Sequence, residues 1–135
     1  MSASPPRTDP PRRRAFRQVD VFSSEACRGN PVAVVLDGAG LGEAAMQRFA
    51  RWTQLSETTF LTPATDPGAD YALRIFTPGG ELPFAGHPTL GSCQAWLEAG
   101  GQPRQTAEIV QQCAIGLVRI RRGAAGRLAF AAPPL

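Results

Sequence analysis

The sequence predicts an α+β domain whose mixed, largely antiparallel sheet packs on helices. Three observations carry this reading: several short stretches alternate apolar and polar residues with period two, two stretches have helical spacing, and the links between many of them are short and marked by glycine or proline. A chain of 135 residues, 43% hydrophobic and 19% charged, can build one small domain with a real core but not two.

The run MSASPPRTDPPRRRAFRQ crowds Arg7, Arg12, Arg13, Arg14 and Arg17 together with prolines and no apolar stripe. Such a segment cannot bury enough surface to offset its ordering entropy, so residues 1–13 are expected to be a disordered tail and 14–135 the domain. FRQVDVF then alternates, with Phe16, Gln18, Asp20 and Phe22 on one side and Arg17, Val19 and Val21 on the other, as a strand does. CRGNP reads as a turn, because Gly29 and Asn30 tolerate positive φ and Pro31 fixes the entry into the strand VAVVL, which Asp37 and Gly38 close. From Leu41 to Gln54, Leu41, Ala45, Phe49 and Trp52 recur at helical spacing opposite mostly polar residues, which predicts an amphipathic helix with that stripe inward.

SETTFLTP and YALRIFTP read as strands ending in proline, joined by ATDPGAD. In HPTLGSCQAWLEAGG, Pro88 suits a first helical position and Gly100–Gly101 a stop, which predicts a second helix with Leu90, Cys93 and Leu97 on its apolar side. AEIVQQC, GLVRIR and RLAFA follow as short strands. The expected order is β-β-α-β-β-α-β-β-β. Neither GxGxxG nor a P-loop is present, and no internal repeat stands out.

Several function classes are disfavoured by composition. The formal charge of +3 comes from 14 basic residues, all arginine, and a five-arginine tail with Phe16 as its nearby aromatic is more often solvated than a nucleic-acid arm. No apolar stretch follows the arginines as an export signal requires, and none approaches membrane-spanning length. Cys27, Cys93 and Cys113 are odd in number and lack ligand spacing, so neither a disulfide framework nor a metal site is expected, and a reducing cytoplasm fits best.

The segment ELPFAGHPTLGS holds the only histidine, His87, between Gly86 and Pro88 at the expected mouth of the second helix. With Pro88 as its first residue, the N–H groups of Thr89 and Leu90 would point free out of a positively polarised helix end, a ready anion site. Gly86 would let a ligand approach the backbone, and His87 at the cap would be disfavoured as a cation. By itself, a histidine at a helix start reads first as a simple cap. In QLSETTFLT, an extended chain puts Leu55, Glu57, Thr59 and Leu61 on one face, so a carboxylate shares its side with leucines. Partial burial there would raise its pKa toward the range of a general acid/base; an exposed glutamate at a strand entrance fits the spacing equally well.

Taken together and in order, GNPVAVVL, LSETTFL and RIFTPGGELPFAGHPTLGS resemble the first half of the phenazine-biosynthesis PhzF-like isomerases, which have the diaminopimelate epimerase fold. The likeness runs from Asp20 to about Gly100. It implies two topologically similar α+β halves, each a sheet wrapped around a central helix, with the active site between them. PTLGSCQAWLEAG would then be the buried central helix of the first half, consistent with Glu98 as its only charge. The resemblance further implies that Glu57 of SETTF is the general acid/base and that Gly86 and His87 of FAGHPT contact substrate. The type reaction moves a proton between ring carbons of a dihydro-hydroxyanthranilate and needs neither cofactor nor metal.

Related epimerases use paired cysteines, one per half. The corresponding position here is Ala85, which disfavours racemisation by two thiols, and Cys93 reads as core packing. The family's second half supplies an aspartate and a second glycine-containing helix start, and nothing after LAFAAPPL maps to them. The expectation is therefore a truncated product, a chain that pairs with a separate second half, or a homodimer that imitates the two halves. The leading reading is an isomerase acting on a small carboxylate-bearing substrate; a non-catalytic binding or assembly half and an amino-acid racemase using Glu57 are the alternatives.

Overall fold

The computed structural model describes residues 12–21 and 29–130. Its elements run β1 (Phe16–Val21), β2 (Asn30–Val35), α1 (Glu43–Thr53), β3 (Glu57–Thr62), β4 (Tyr71–Thr77), β5 (Gly80–Leu82), α2 (Gly86–Glu98), β6 (Glu108–Cys113), β7 (Gly116–Arg122) and β8 (Leu128–Phe130), with a 3₁₀ turn at Ala124–Gly126 before the last strand. All eight strands belong to one sheet ordered β1-β2-β3-β4-β6-β7-β8, with β5 paired to β4. The pairs β2/β3 and β4/β6 are parallel and the other neighbours antiparallel. Each parallel pair is bridged by a helix, as a crossover requires, and the helices lie on opposite faces of the sheet.

Helix α2 lies against β1, β2 and β3 and also against β8, from the other end of the sheet order. The sheet therefore curls around α2. This is the mixed, largely antiparallel sheet around a central helix that the sequence predicts. Cys93 and Ala95 of α2 join Val32, Val34, Leu61, Tyr71, Ile75, Ile109 and Ile120 in the larger core. The single charge of the helix, Glu98, sits at its exposed end, where it accepts from Gln94 Nε2 at 2.8 Å and pairs with Arg17 of β1 at 3.3 Å. Gly100 (φ 98°) and Gly101 end the helix as a Schellman motif, their N–H groups donating to Leu97 O and Trp96 O.

Helix α1 closes a second, smaller core of Val35, Met46, Ala50, Phe60 and Phe76 on the other face. Here the helix differs from expectation. Met46 and Ala50 are its buried residues, while Trp52, expected inward, is 77% exposed. Leu41 and Phe49 of the expected stripe do pack against this core, but from its margin, and the centre of the inward face is rotated toward Met46 and Ala50, which fill the space above Phe60 and Phe76.

One strand is added and one further reading changes. Strand β5 has no counterpart in the sequence reading: Pro78–Gly79 turn β4 back on itself, and Thr77 Oγ1 accepts from the N–H groups of Gly79 and Gly80. Asn30 and Pro31 already belong to β2, and neither Gly29 nor Asn30 has a positive φ. Gly29 is needed for space, since a Cβ there would land on the Val21 carbonyl. The tail expected over 1–13 falls mostly outside the described residues, but Arg12 donates to Asp37 and Ala39 O and so is tied to the end of β2. Phe22 and Cys27 lie outside the described residues.

Gly91 marks the tightest helix-to-sheet approach, because a Cβ there would lie 2.5 Å from Val32 Cγ1 and 2.8 Å from Val21 Cγ2. Both methyls belong to stiff β-branched side chains. Gly91→Ala is expected to lower stability by about 1–3 kcal/mol of overpacking strain, partly offset by the ~1 kcal/mol by which alanine favours helix. A urea midpoint that rises in this variant would refute the close approach. In the same core, burial pushes the Cys93 thiol up to about 12. Iodoacetamide at about pH 8 should therefore leave Cys93 unmodified in the folded chain and modify it in guanidinium, as read by peptide mass mapping; rapid labelling in the folded chain would mean that α2 is not enclosed.

Candidate active site

The C-terminal end of β1 and the N-terminal ends of β2 and β3 meet at one edge of the sheet, where Val21 pairs with Asn30 and Val32 with Glu57. Helix α2 begins beside them. On β3, Thr58 and Phe60 are buried on the α1 side, while Thr59 and Leu61 face α2, as Thr59 Oγ1 to Ser92 Oγ at 2.7 Å shows. Glu57 shares their side, so the alternation expected from QLSETTFLT is the observed one.

At the mouth of α2, Glu57 Oε2 lies 2.8 Å from His87 Nε2, with the side chains only 15% and 18% exposed. The two atoms are themselves sealed from solvent and are close without being aligned as a linear hydrogen bond. The two residues singled out separately in the sequence are thus brought into contact.

The helix start differs from expectation. Its cap is Ala85, in extended conformation, so Gly86, His87 and Pro88 fill the first turn. Thr89 N donates to Ala85 O at 3.3 Å, and Leu90 lies one position deeper in the ladder, so neither of their N–H groups points free as the sequence reading had it. A proline in the third helical position still lacks only an N–H that no carbonyl could receive, which is why the helix can begin two residues earlier. The groups directed out of the helix end are the N–H groups of Gly86 and His87. No acidic residue of the helix's own sequence occupies that first turn. Gly86 also has a packing reason: a Cβ there would lie 3.0 Å from Phe130 Cζ of β8.

The first turn of α2 is held by a buried polar chain that sequence reasoning missed. Gln111 Nε2 of β6 donates to Thr89 Oγ1 at 3.2 Å, and Tyr71 OH of β4 donates to Gln111 Oε1 at 3.2 Å. Thr59, Thr89, Ser92 and Gln111 are all fully buried. Burial also raises the Tyr71 hydroxyl well above its ordinary pKa, which keeps it a donor. Its only sequence signal was a glutamine within the apolar run EIVQQC. On the other side, Thr53 Oγ1 meets Thr58 Oγ1 at 3.0 Å and accepts from Leu55 N, while Gln54 takes a left-handed φ of 59°. These contacts fix where β3 begins and hence where Glu57 stands.

Among the described residues no thiol joins this pair, since Cys93 is in the core and Cys113 ends β6. Nor, among them, do three His, Cys, Asp or Glu side chains gather as a metal site needs. No helix among them is long and apolar enough to cross a membrane. The arrangement offers a largely buried carboxylate in contact with an imidazole that itself stands in the first turn of an anion-attracting helix end. A carboxylate so placed is chemically able to accept and return a proton, and a helix end of this kind attracts an anion.

Comparison with known proteins agrees with this fold. The crystal structure of a PhzF-family phenazine biosynthesis protein from Bacillus anthracis superposes with a TM-score of 0.74 at 33% identity, over 84% of this chain and 38% of that one. A hydroxyproline epimerase from Agrobacterium vitis, 19% identical with a TM-score of 0.57, shares the fold. In sequence, the chain is 53% identical over 106 residues to antisense-enhancing sequence 1 of Schizosaccharomyces pombe, covering 78% of this chain and 36% of that protein. It is 52% identical over 77 residues to the trans-2,3-dihydro-3-hydroxyanthranilate isomerase of Pseudomonas fluorescens, covering 57% and 27%. The chain thus spans about a third of the length of these curated relatives. The model of the phenazine biosynthesis-like protein family matches residues 19–131, and the chain belongs to that family of isomerases.

Proposed function

We propose that this chain carries the first half of a cofactor-independent isomerase site in which Glu57 shifts a proton on a small, carboxylate-bearing substrate of the dihydro-hydroxyanthranilate type. The observation that supports it most is the 2.8 Å contact between Glu57 and His87 at the mouth of α2. Glu57 takes a proton from one ring carbon and delivers it to another while the double bond moves between them. No electrons are gained or lost, so one carboxylate that both accepts and returns the proton is sufficient. His87 and the outward N–H groups of Gly86 and His87 hold the substrate's anionic group. Thr89 and Leu90 support that turn from within the helix.

The competent form includes a second epimerase-like half facing this edge of the sheet. Free thiols at Cys93 and Cys113 suit a reducing cytoplasm.

The test is solvent deuterium incorporation into trans-2,3-dihydro-3-hydroxyanthranilate, followed by NMR over a range of protein concentrations. Glu57→Gln should lower the rate by about 10²–10⁴-fold; an unchanged rate would remove Glu57 from the mechanism. If no deuterium enters in either protein yet the substrate binds and His87→Ala abolishes binding, the chain is a non-catalytic binding half. If a single amino-acid enantiomer loses optical rotation instead, it is a racemase.

A further inference from the structure

The rotation of α1 leaves a second site on the opposite face of the sheet. Ala45, Arg48, Phe49 and Trp52 form a helical stripe beside the buried one, and with Arg14, Phe16, Val35, Leu41 and Phe60 they line a cavity of about 700 Å³. Phe60 is its link to the sheet, and Phe60 faces away from the side of β3 that carries Glu57 and Thr59. The cavity is therefore separate from the candidate active site.

Its walls are aromatic and ordered among themselves. Phe49 stacks on Trp52 with centroids 5.8 Å apart, meets Phe16 edge-on at 6.0 Å and packs near Phe60 at 6.2 Å. Yet Trp52 is 77% exposed and Phe16 47%, a costly display of apolar surface for a small domain. The charged side chains that line it are two arginines, and of these Arg14 is ion-paired at the rim with Asp37 at 3.7 Å. Arg14 is three-quarters or more enclosed and donates to Asp37 O and Ala39 O at 2.8 and 2.7 Å, which fixes it at the rim. Arg48 is exposed and, among the described residues, has no hydrogen-bond or ion-pair partner. Among the described residues no acidic side chain lines the cavity.

These features select an occupant. A volume of about 700 Å³ lies within the ~300–1,000 Å³ of small-molecule pockets, whereas a protein partner needs no such concavity. Two-fold contact with a second copy would bring the unpaired Arg48 of each copy to the same basic rim, where the nearby carboxylate of Asp37 is already taken by Arg12 and Arg14, which opposes self-association through this face. We propose that the cavity beside α1 binds a small amphipathic anion, a flat aromatic or alkyl body carrying a carboxylate or sulfonate. The body lies between Phe16 and Trp52 on a floor of Val35 and Phe60, and the head group reaches Arg48.

The probe is 1-anilinonaphthalene-8-sulfonate, with uncharged N-phenyl-1-naphthylamine as its comparison, titrated into the folded chain and followed by fluorescence. One saturable equivalent of the anion should bind. Trp52→Ala should abolish binding of both probes, and because Trp52 is exposed its far-UV circular dichroism should stay unchanged. Arg48→Gln should weaken the anion about tenfold or more and leave the neutral probe unaffected. Three results would overturn the proposal: non-saturable binding, binding that survives Trp52→Ala, or an equal effect of Arg48→Gln on the two probes. Loss of the anion in His87→Ala would move it to the other face and likewise overturn it. So would a doubled mass in sedimentation that Trp52→Ala halves, because a second copy would then fill the cavity.

Discussion

A helix can be enclosed by a curled sheet only if its backbone comes close to the strands and it carries almost nothing that needs water. Gly91 meets the first condition, since the space a Cβ would take belongs to Val32 and Val21. The second is met by a sequence whose only charge, Glu98, is left at the last turn beside Arg17. From that enclosure the rest follows. The larger core forms around α2, both ends of the sheet touch it, and its first turn is delivered to the edge where Glu57 begins β3. A site built on a helix mouth inherits the rigidity of the core behind it.

Enclosure also sets the character of the polar groups inside. Thr59, Thr89, Ser92 and Gln111 are fully buried and could not be tolerated singly, because an unmet buried polar atom costs about 1–3 kcal/mol. Two of the pairings cross elements that the backbone ladder does not join, β3 to α2 through Thr59 and Ser92 and β6 to α2 through Gln111 and Thr89, while Tyr71 and Gln111 add a side-chain bond to the β4/β6 ladder in which they are register partners. Apolar contacts alone would let the helix slide or rotate by small amounts at little cost. Directional bonds at Thr89 and Ser92 remove that freedom within a turn or two of His87.

The parts of this architecture legible in sequence were those set by local chemistry. The glycine pair that ends α2, the alternation of β3 with Glu57 on the helix side, and the prolines that bound β3 and β4 all act within a few residues. What was misread depends on partners distant in the chain. The start of α2 was placed at Pro88 because proline favours the first helical position, but β8 and the buried Gln111 fix the helix where Ala85 is the cap. Trp52 was assigned to the inward stripe of α1 on hydrophobicity, and only the positions of Phe60 and Phe76 across the sheet decide that Met46 faces in. The short β5 has no period to read over three residues, although Pro78–Gly79 is a turn signal in its own right.

Strand β3 joins these consequences, because its two faces do different work. Odd-numbered Glu57, Thr59 and Leu61 face α2, while even-numbered Thr58 and Phe60 face α1 and the apolar cavity. A slip of one residue would exchange the faces, placing a phenylalanine against Ser92 and a carboxylate against the aromatic wall. Parallel pairing with β2 and antiparallel pairing with β4 each resist that slip, but the strand's start is fixed before either ladder begins. Gln54 turns the chain out of α1 in the left-handed conformation, and Thr53 fastens that turn by accepting from Leu55 N and meeting Thr58. The position of the carboxylate at the mouth of α2 is thus decided at the end of α1, on the far side of the sheet.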